Sequence, residues 1–138
     1  MRYIIMHKTN PHWESGAIPS KELIARVGAL IGEMAKSRVF VAGEGLRASS
    51  EGVRLRFSGG ARTITKGPFR GENELPAGFA ILRTGSLDEA VEWARKVPPV
   101  ENFTIEVRQV EGPEDFPPGL QDDNSTYNQY ARKDQPQT

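Results

Sequence analysis

The sequence contains no cysteine, which removes disulfides, thiolate nucleophiles and sulfur-based zinc sites from consideration. Histidine is nearly as scarce. His7 and His12 are the only two, and neither has a ligand-spaced partner, so neither a metal nor a cofactor is expected. No sign of charge dominates, since 18 Lys and Arg balance 18 Asp and Glu. Without a basic excess, direct nucleic-acid binding is not expected. No apolar run approaches membrane-spanning length. The opening MRYIIMHK has five apolar residues before His7, too few for a secretory core. These absences predict a soluble, cytoplasmic protein with no membrane partner. Two further signatures are missing. Gly43-Glu44-Gly45 is not followed by the GK[ST] of a phosphate loop, and Ser49 and Ser50 lie in no nucleophile motif.

The 138 residues fit one domain that buries roughly two-thirds of its unfolded surface. A domain is expected over residues 1–112 and a polar Pro/Gln/Asn-rich tail over 113–138. The change in composition begins at Glu111, and Phe116, Leu120, Tyr127 and Tyr130 are the tail's sizeable apolar groups.

Tyr3 to Met6 has the length of a strand and is apolar on both faces. Lys8 to Ile18 reads as a loop broken by Pro11 and Gly16. Ser20 is a plausible N-cap for a helix ending near Ser37, with Leu23, Ile24, Val27, Leu30, Ile31 and Met34 on its apolar stripe. Gly28 and Gly32 in that helix suggest close packing. Arg38 to Ala42 reads as a second strand, ending at a glycine-flanked acid, Glu44. Val53 to Phe57 and Arg62 to Lys66 alternate around Ser58-Gly59-Gly60, a hairpin signal. Gly78 to Arg83 is a further strand. Ser86 and Glu89 form a capping box for a second helix that Pro98-Pro99 stops. Asn102 to Val110 closes the series.

Strand–helix–strand, hairpin, strand–helix–strand predicts an α+β, ferredoxin-like split βαβ sheet with an inserted β-hairpin and helices on one face. The other face would be bare while its strands are apolar on both sides. A homodimer packed through sheet faces is the expected remedy.

The chain resembles the YCII-related family in its DGPF-domain branch. The resemblance rests on RYIIMH at the first strand, VAGEGL at Val41 to Leu46, Ser49-Ser50, and KGPF at Lys66 to Phe69. It continues through ELPAGF at Glu74 to Phe79, LDEAVEWA at Leu87 to Ala94, and EVRQVEGPEDF at Glu106 to Phe116. It implies a dimeric α+β barrel built from two ferredoxin-like protomers, in a family whose activity is mostly unassigned. The wider superfamily includes lyases, isomerases and cofactor-free oxygenases beside non-catalytic modules. Gene-neighbourhood links of DGPF-type proteins to sigma factors imply a regulatory partner. The chain departs from the pattern in several places. Lys66 stands where the family has its namesake aspartate, and Gly71 and Asn73 replace an acid and a lysine. The first long helix carries no histidine for a His-Asp pair.

Three readings follow. The first is a dimeric module of unassigned activity, non-catalytic or open to binding a small anionic molecule. The second is a cofactor-free lyase or isomerase with His7 or Glu44 as base. The third is a regulatory protein associated with a sigma factor. A histidine suits acid–base work near neutral pH, and its plainer role is a strand-terminal hydrogen bond. Glu44 between glycines suits close approach to a ligand, or else a turn satisfied by Arg47. Lys66 and Arg70 around Phe69 suit an anion clamp with an apolar wall, or else a rigid turn with solvated cations. A site, if present, is expected where His7, Glu44, Lys66, Phe69 and Arg70 converge.

Overall fold

In a computed structural model, residues 1–117 are described apart from Glu72 and Glu101. The tail residues Leu120, Tyr127 and Tyr130 lie outside that range. The strands are β1 (Arg2–Lys8), β2 (Phe40–Gly45), β3 (Val53–Ser58), β4 (Ala61–Lys66), β5 (Pro76–Arg83) and β6 (Ile105–Gln109). The helices are α1 (Pro11–Glu14), α2 (Lys21–Lys36) and α3 (Leu87–Arg95).

Four strands form one antiparallel sheet in the order β2-β5-β1-β6, and β3 and β4 form a separate two-stranded ribbon. This is the α+β, ferredoxin-like arrangement, with the first strand central and the hairpin inserted between its halves. Ser20 and Ser86 cap the two long helices as their sequence requires, accepting from Leu23 N at 3.1 Å and Glu89 N at 3.2 Å. The Glu89 carboxylate reaches back to Gly85 N at 2.8 Å, so the second cap is reciprocal in spirit but displaced by one residue from the usual box.

The core lies between the sheet and the helices. Ile5 and Leu82 are wholly buried, packed with Leu30 and Met34 of α2 and with Val39, and bordered by Trp93, Ala94 and Val97 at α3. Alternation along β1 then sends Ile4 and Met6 to the opposite face, where they pair with Ile81 and Phe79 of β5. Among the described residues that face carries no helix, and its four central apolar side chains are half-buried.

Several expectations change. The stripe on α2 is wider than the surface it buries. Leu30 and Met34 face the core, whereas Ile24, Val27 and Ile31 form an exposed second line. A β-carbon at Gly28 or Gly32 would meet nothing within 4 Å, so these glycines serve no close packing among the described residues. The Lys8–Ile18 loop contains the short helix α1, capped by Asn10 Oδ1 accepting from Trp13 N at 3.0 Å. Gly43-Glu44-Gly45 does not bend away but continues β2 to its pairing with Gly78. A register shift between Phe40 and Ala42 precedes it. A β-carbon at Gly43 would crowd the Phe40 ring at 3.2 Å and the Phe79 carbonyl at 3.2 Å, which is why glycine occupies a strand interior here.

Candidate functional site

Where the chain leaves β2, Leu46 N still donates to Ala77 O at 2.8 Å, which holds the exit beside β5. A 3₁₀ turn at Ser49–Glu51 leads into the hairpin, and the chain returns through Gly67, Pro68 and Phe69. The return bend is bound to the turn. Gly67 N donates to Gly52 O at 3.0 Å, and Phe69 N donates to Ser49 Oγ at 3.0 Å. The two backbones approach so closely that a β-carbon at Gly67 would overlap the carbonyl oxygen of Ser49. Glycine in KGPF is therefore a requirement of close approach rather than of an unusual φ.

The turn is held from a third side by Glu14 at the end of α1. Its carboxylate accepts from Ser49 N at 3.2 Å and from the Ser49 hydroxyl. Thr9 Oγ1, which is nearly wholly buried, donates to the same carboxylate at 3.3 Å. Thr9 also gives its backbone N–H to Leu75 O at 2.7 Å and accepts from Asn73 N at 3.1 Å. One carboxylate thus joins the end of β1, the turn after β2 and, through Ser49, the bend at Phe69. Charge-assisted hydrogen bonds of this kind are stronger than neutral ones.

Between these segments lies an open groove of about 510 Å³, within the range of small-ligand pockets. Leu46, Phe69, Leu75 and Pro76 give it apolar walls, and Ser49 and Arg54 supply polarity. Arg54 comes from β3, and its guanidinium carbon stands 4.1 Å from the centre of the Phe69 ring. That distance is a cation–π contact. No carboxylate pairs with Arg54 among the described residues. Arg47, by contrast, is engaged with Glu51 at 3.0 Å, with both groups exposed.

The residues expected from sequence are dispersed. Phe69 lines the groove, whereas His7, Glu44, Lys66 and Arg70 do not. His7 pairs with Gly78 and Ile105 in register, shares its sheet face with Ile5, and lies 5.6 Å from the ring of Phe103. Glu44 pairs with Phe79 and occupies the helix-free face. His7 and Glu44 therefore stand on opposite faces of one sheet. Lys66 is exposed at the end of β4 opposite Val53 and forms no ion pair with Glu44. Arg70 is exposed beyond the bend. The sequence does not single out Glu14 or Arg54, and it marks Ser49 only as part of the Ser49-Ser50 element of the family resemblance. Arg54 carries a recognisable signal, since its alternation with Val53 and Leu55 sets it on the hairpin's polar face. Nothing local announces the pairing of Glu14 with Ser49. Among the described residues no group of acids and histidines is placed to hold a metal ion, and no helix is long and apolar enough to cross a membrane.

Burial desolvates the His7 imidazole and lowers its pKa below 6.5, so its neutral form is favoured in the fold. Above pH 6.5 the folded and unfolded chains both hold it neutral. As the pH falls below that value, the unfolded chain takes up a proton that the folded chain resists, and stability declines. His7→Gln should make the fall in unfolding free energy between about pH 6.5 and 5 shallower, as read from urea titrations. An unchanged pH dependence would show that His7 is not the group responsible.

A family model for the YCII-related domain matches residues 1–113. No curated protein matches the sequence.

Proposed function

We propose, from the premise that this chain belongs to the YCII-related domain family, that it is a homodimeric module binding a small anionic molecule with an apolar body. The KGPF motif, with lysine in place of the acid, supports a position in the DGPF branch. The balanced charge and the lack of cysteine support a cytoplasmic setting.

One observation carries the ligand class. Arg54 is a guanidinium without a carboxylate partner among the described residues, held over an aromatic ring at the wall of an apolar groove. Such a group offers a planar fork of donors to a carboxylate or another oxyanion. The Phe69 ring and the leucines would take the apolar part. The test is thermal shift with a panel of aromatic monocarboxylates and their neutral amides. The acids should raise the melting temperature, the amides should not, and Arg54→Ala should abolish the response. As an exposed substitution, Arg54→Ala should itself cost only about 0.5 kcal/mol. Equal responses to acids and amides would rule out the anion reading.

The bare sheet face supports the homodimer. Ile4, Met6, Phe79 and Ile81 form one apolar patch, bordered by Glu44, Glu106 and Arg108 in register. In the dimer these patches face each other about a two-fold axis. Light scattering should give twice the chain mass of 15.3 kDa, and Phe79→Lys should return it to the single value. A wild-type monomer at micromolar concentration would overturn this.

An acid–base enzyme using Glu44 or His7, with Lys66 or Arg70 as clamp, gains no support from a shared wall, because none of these four lines the groove. The sigma-factor reading rests on the family resemblance alone.

A further inference from the structure

The hairpin β3–β4 pairs with no other strand among the described residues, and its two faces differ. Register sets Arg54, Arg56, Thr63 and Thr65 on one face. It sets Val53, Leu55, Phe57 and Ile64 on the other, together with Arg62 and Lys66. At the root of the first face, Arg54 stands 4.1 Å from the centre of the Phe69 ring in the return bend. The second face is the opposite one, directed away from that bend. Its four apolar side chains are 56%, 51%, 69% and 64% exposed, so the described residues leave it open. A contiguous apolar ribbon face of this kind ordinarily has a partner.

Charge decides what kind of partner fits. From Val53 to Arg70 the chain holds Arg54, Arg56, Arg62, Lys66 and Arg70, and no acid. None of these cations forms an ion pair among the described residues. The neutral total of the chain therefore hides a local cationic excess. A second copy of this face is a poor occupant, because a two-fold pairing would set Arg62 and Lys66 against their own kind. A nucleic acid offers phosphates to the cations, but little to four aliphatic and aromatic side chains between them. An anionic bilayer surface offers both. Its headgroups attract the cations, and the boundary of its acyl layer takes the apolar row.

We propose that the apolar face of the β3–β4 hairpin docks on the surface of an anionic phospholipid bilayer. Its layout suits that surface. Arg62 lies across from Phe57 and Lys66 across from Val53, so a cation stands at each end of the apolar row. Both side chains have stems long enough to keep their charge among phosphates while the row sinks below them. The turn Ser58-Gly59-Gly60 beside Phe57 carries no charge that would resist approach. The ribbon lies in the interface and goes no deeper, since its two open edges carry backbone groups that must stay in contact with water. The expectation of no membrane partner rested on the neutral total and on the lack of a spanning run, and neither bears on a surface contact. The anion groove is a separate feature, and this docking does not depend on its ligand.

The absence of cysteine makes the test direct. Ser58→Cys creates a unique thiol beside Phe57, to which an environment-sensitive fluorophore is attached in the full-length chain. Vesicles of phosphatidylcholine with about 30% phosphatidylglycerol should shift its emission to the blue and carry the protein down on sedimentation. Vesicles of phosphatidylcholine alone should do neither. The same fluorophore at Glu92→Cys on α3 should show no shift. Binding should weaken about tenfold or more in the double variant Arg62→Glu, Lys66→Glu, and likewise in about 0.5 M salt. The double variant Leu55→Ser, Phe57→Ser keeps every charge and should lose the blue shift. Equal binding to both kinds of vesicle, or a blue shift that survives the serine substitutions, would overturn the proposal. An equal shift with duplex DNA would assign the cations to nucleic acid and overturn it too. Emission that is already blue without vesicles, and reddens on dilution, would give the face to a second copy and likewise overturn it.

Discussion

Gly67→Ala is expected to lower the melting temperature by about 10 °C, the largest effect of any single methyl group in this fold. The added carbon would overlap the Ser49 carbonyl oxygen, which is backbone and has no rotamer to yield. Ser49 is itself held through its N–H and its hydroxyl by Glu14, so the turn cannot retreat without breaking those bonds. Overpacking of this kind costs about 3 kcal/mol or more. For a domain of this size each kcal/mol is worth about 4 °C. The damage should be local at first. Parting the bend from the turn breaks the Gly67–Gly52 and Phe69–Ser49 hydrogen bonds and moves the groove wall. The four-stranded sheet contains neither residue, so far-UV circular dichroism at low temperature should stay close to wild type while the acid-induced thermal shift disappears. A melting temperature within 2 °C of wild type would mean that the bend is looser than its contacts indicate.

Glu14→Ala should cost about 2–3 kcal/mol, or roughly 10 °C. The carboxylate accepts from Ser49 N, the Ser49 hydroxyl and Thr9 Oγ1. Removing it strands these donors in a partly buried position, at about 1–3 kcal/mol for each group left truly unpaired, less wherever water enters. Glu14→Gln should fall between, because its single amide oxygen replaces one acceptor while its NH₂ opposes the donors. Ser49→Ala should resemble the alanine variant in stability, since it leaves both the carboxylate and Phe69 N short of a partner. Differential scanning calorimetry on the three variants gives the ranking. If Glu14→Ala and Glu14→Gln melt together near wild type, the hydrogen bonds to Ser49 contribute little and the turn is held by the Gly67 contact alone.

The two long helices and the hairpin were legible because their signals are short-range. Ser20 and Ser86 cap within three residues of themselves, and Ser58-Gly59-Gly60 turns the ribbon on its own. The ferredoxin-like topology followed from the order of the elements, and the bare face followed from both helices lying on one side of the sheet. The site was less legible for a physical reason. Glu14 and Ser49 are 35 residues apart, and neither carries a pattern that names the other. The glycines around Glu44 suggested a bend because glycine usually marks one. Here Gly43 admits the Phe40 ring and the neighbouring strand backbone, a packing demand that exists only once β2 and β5 are paired, whereas a β-carbon at Gly45 would meet nothing within 4 Å. The same holds for the α2 stripe, whose period reveals a helix but not how much of its apolar arc the sheet covers.

The central place of β1 has a consequence for how the protein is made. Its two neighbours are β5 and β6, drawn from residues 76–83 and 105–109. A ribosome adding about 5–20 residues each second therefore presents the first strand several seconds before either of its neighbours exists. During that interval Tyr3, Ile4, Ile5 and Met6 have nothing to pair with, and the hairpin of β3 and β4, whose partners are adjacent in sequence, is the one pairing the nascent chain can complete. Folding of the sheet waits on β5, and the last strand then closes the edge that the first strand left open.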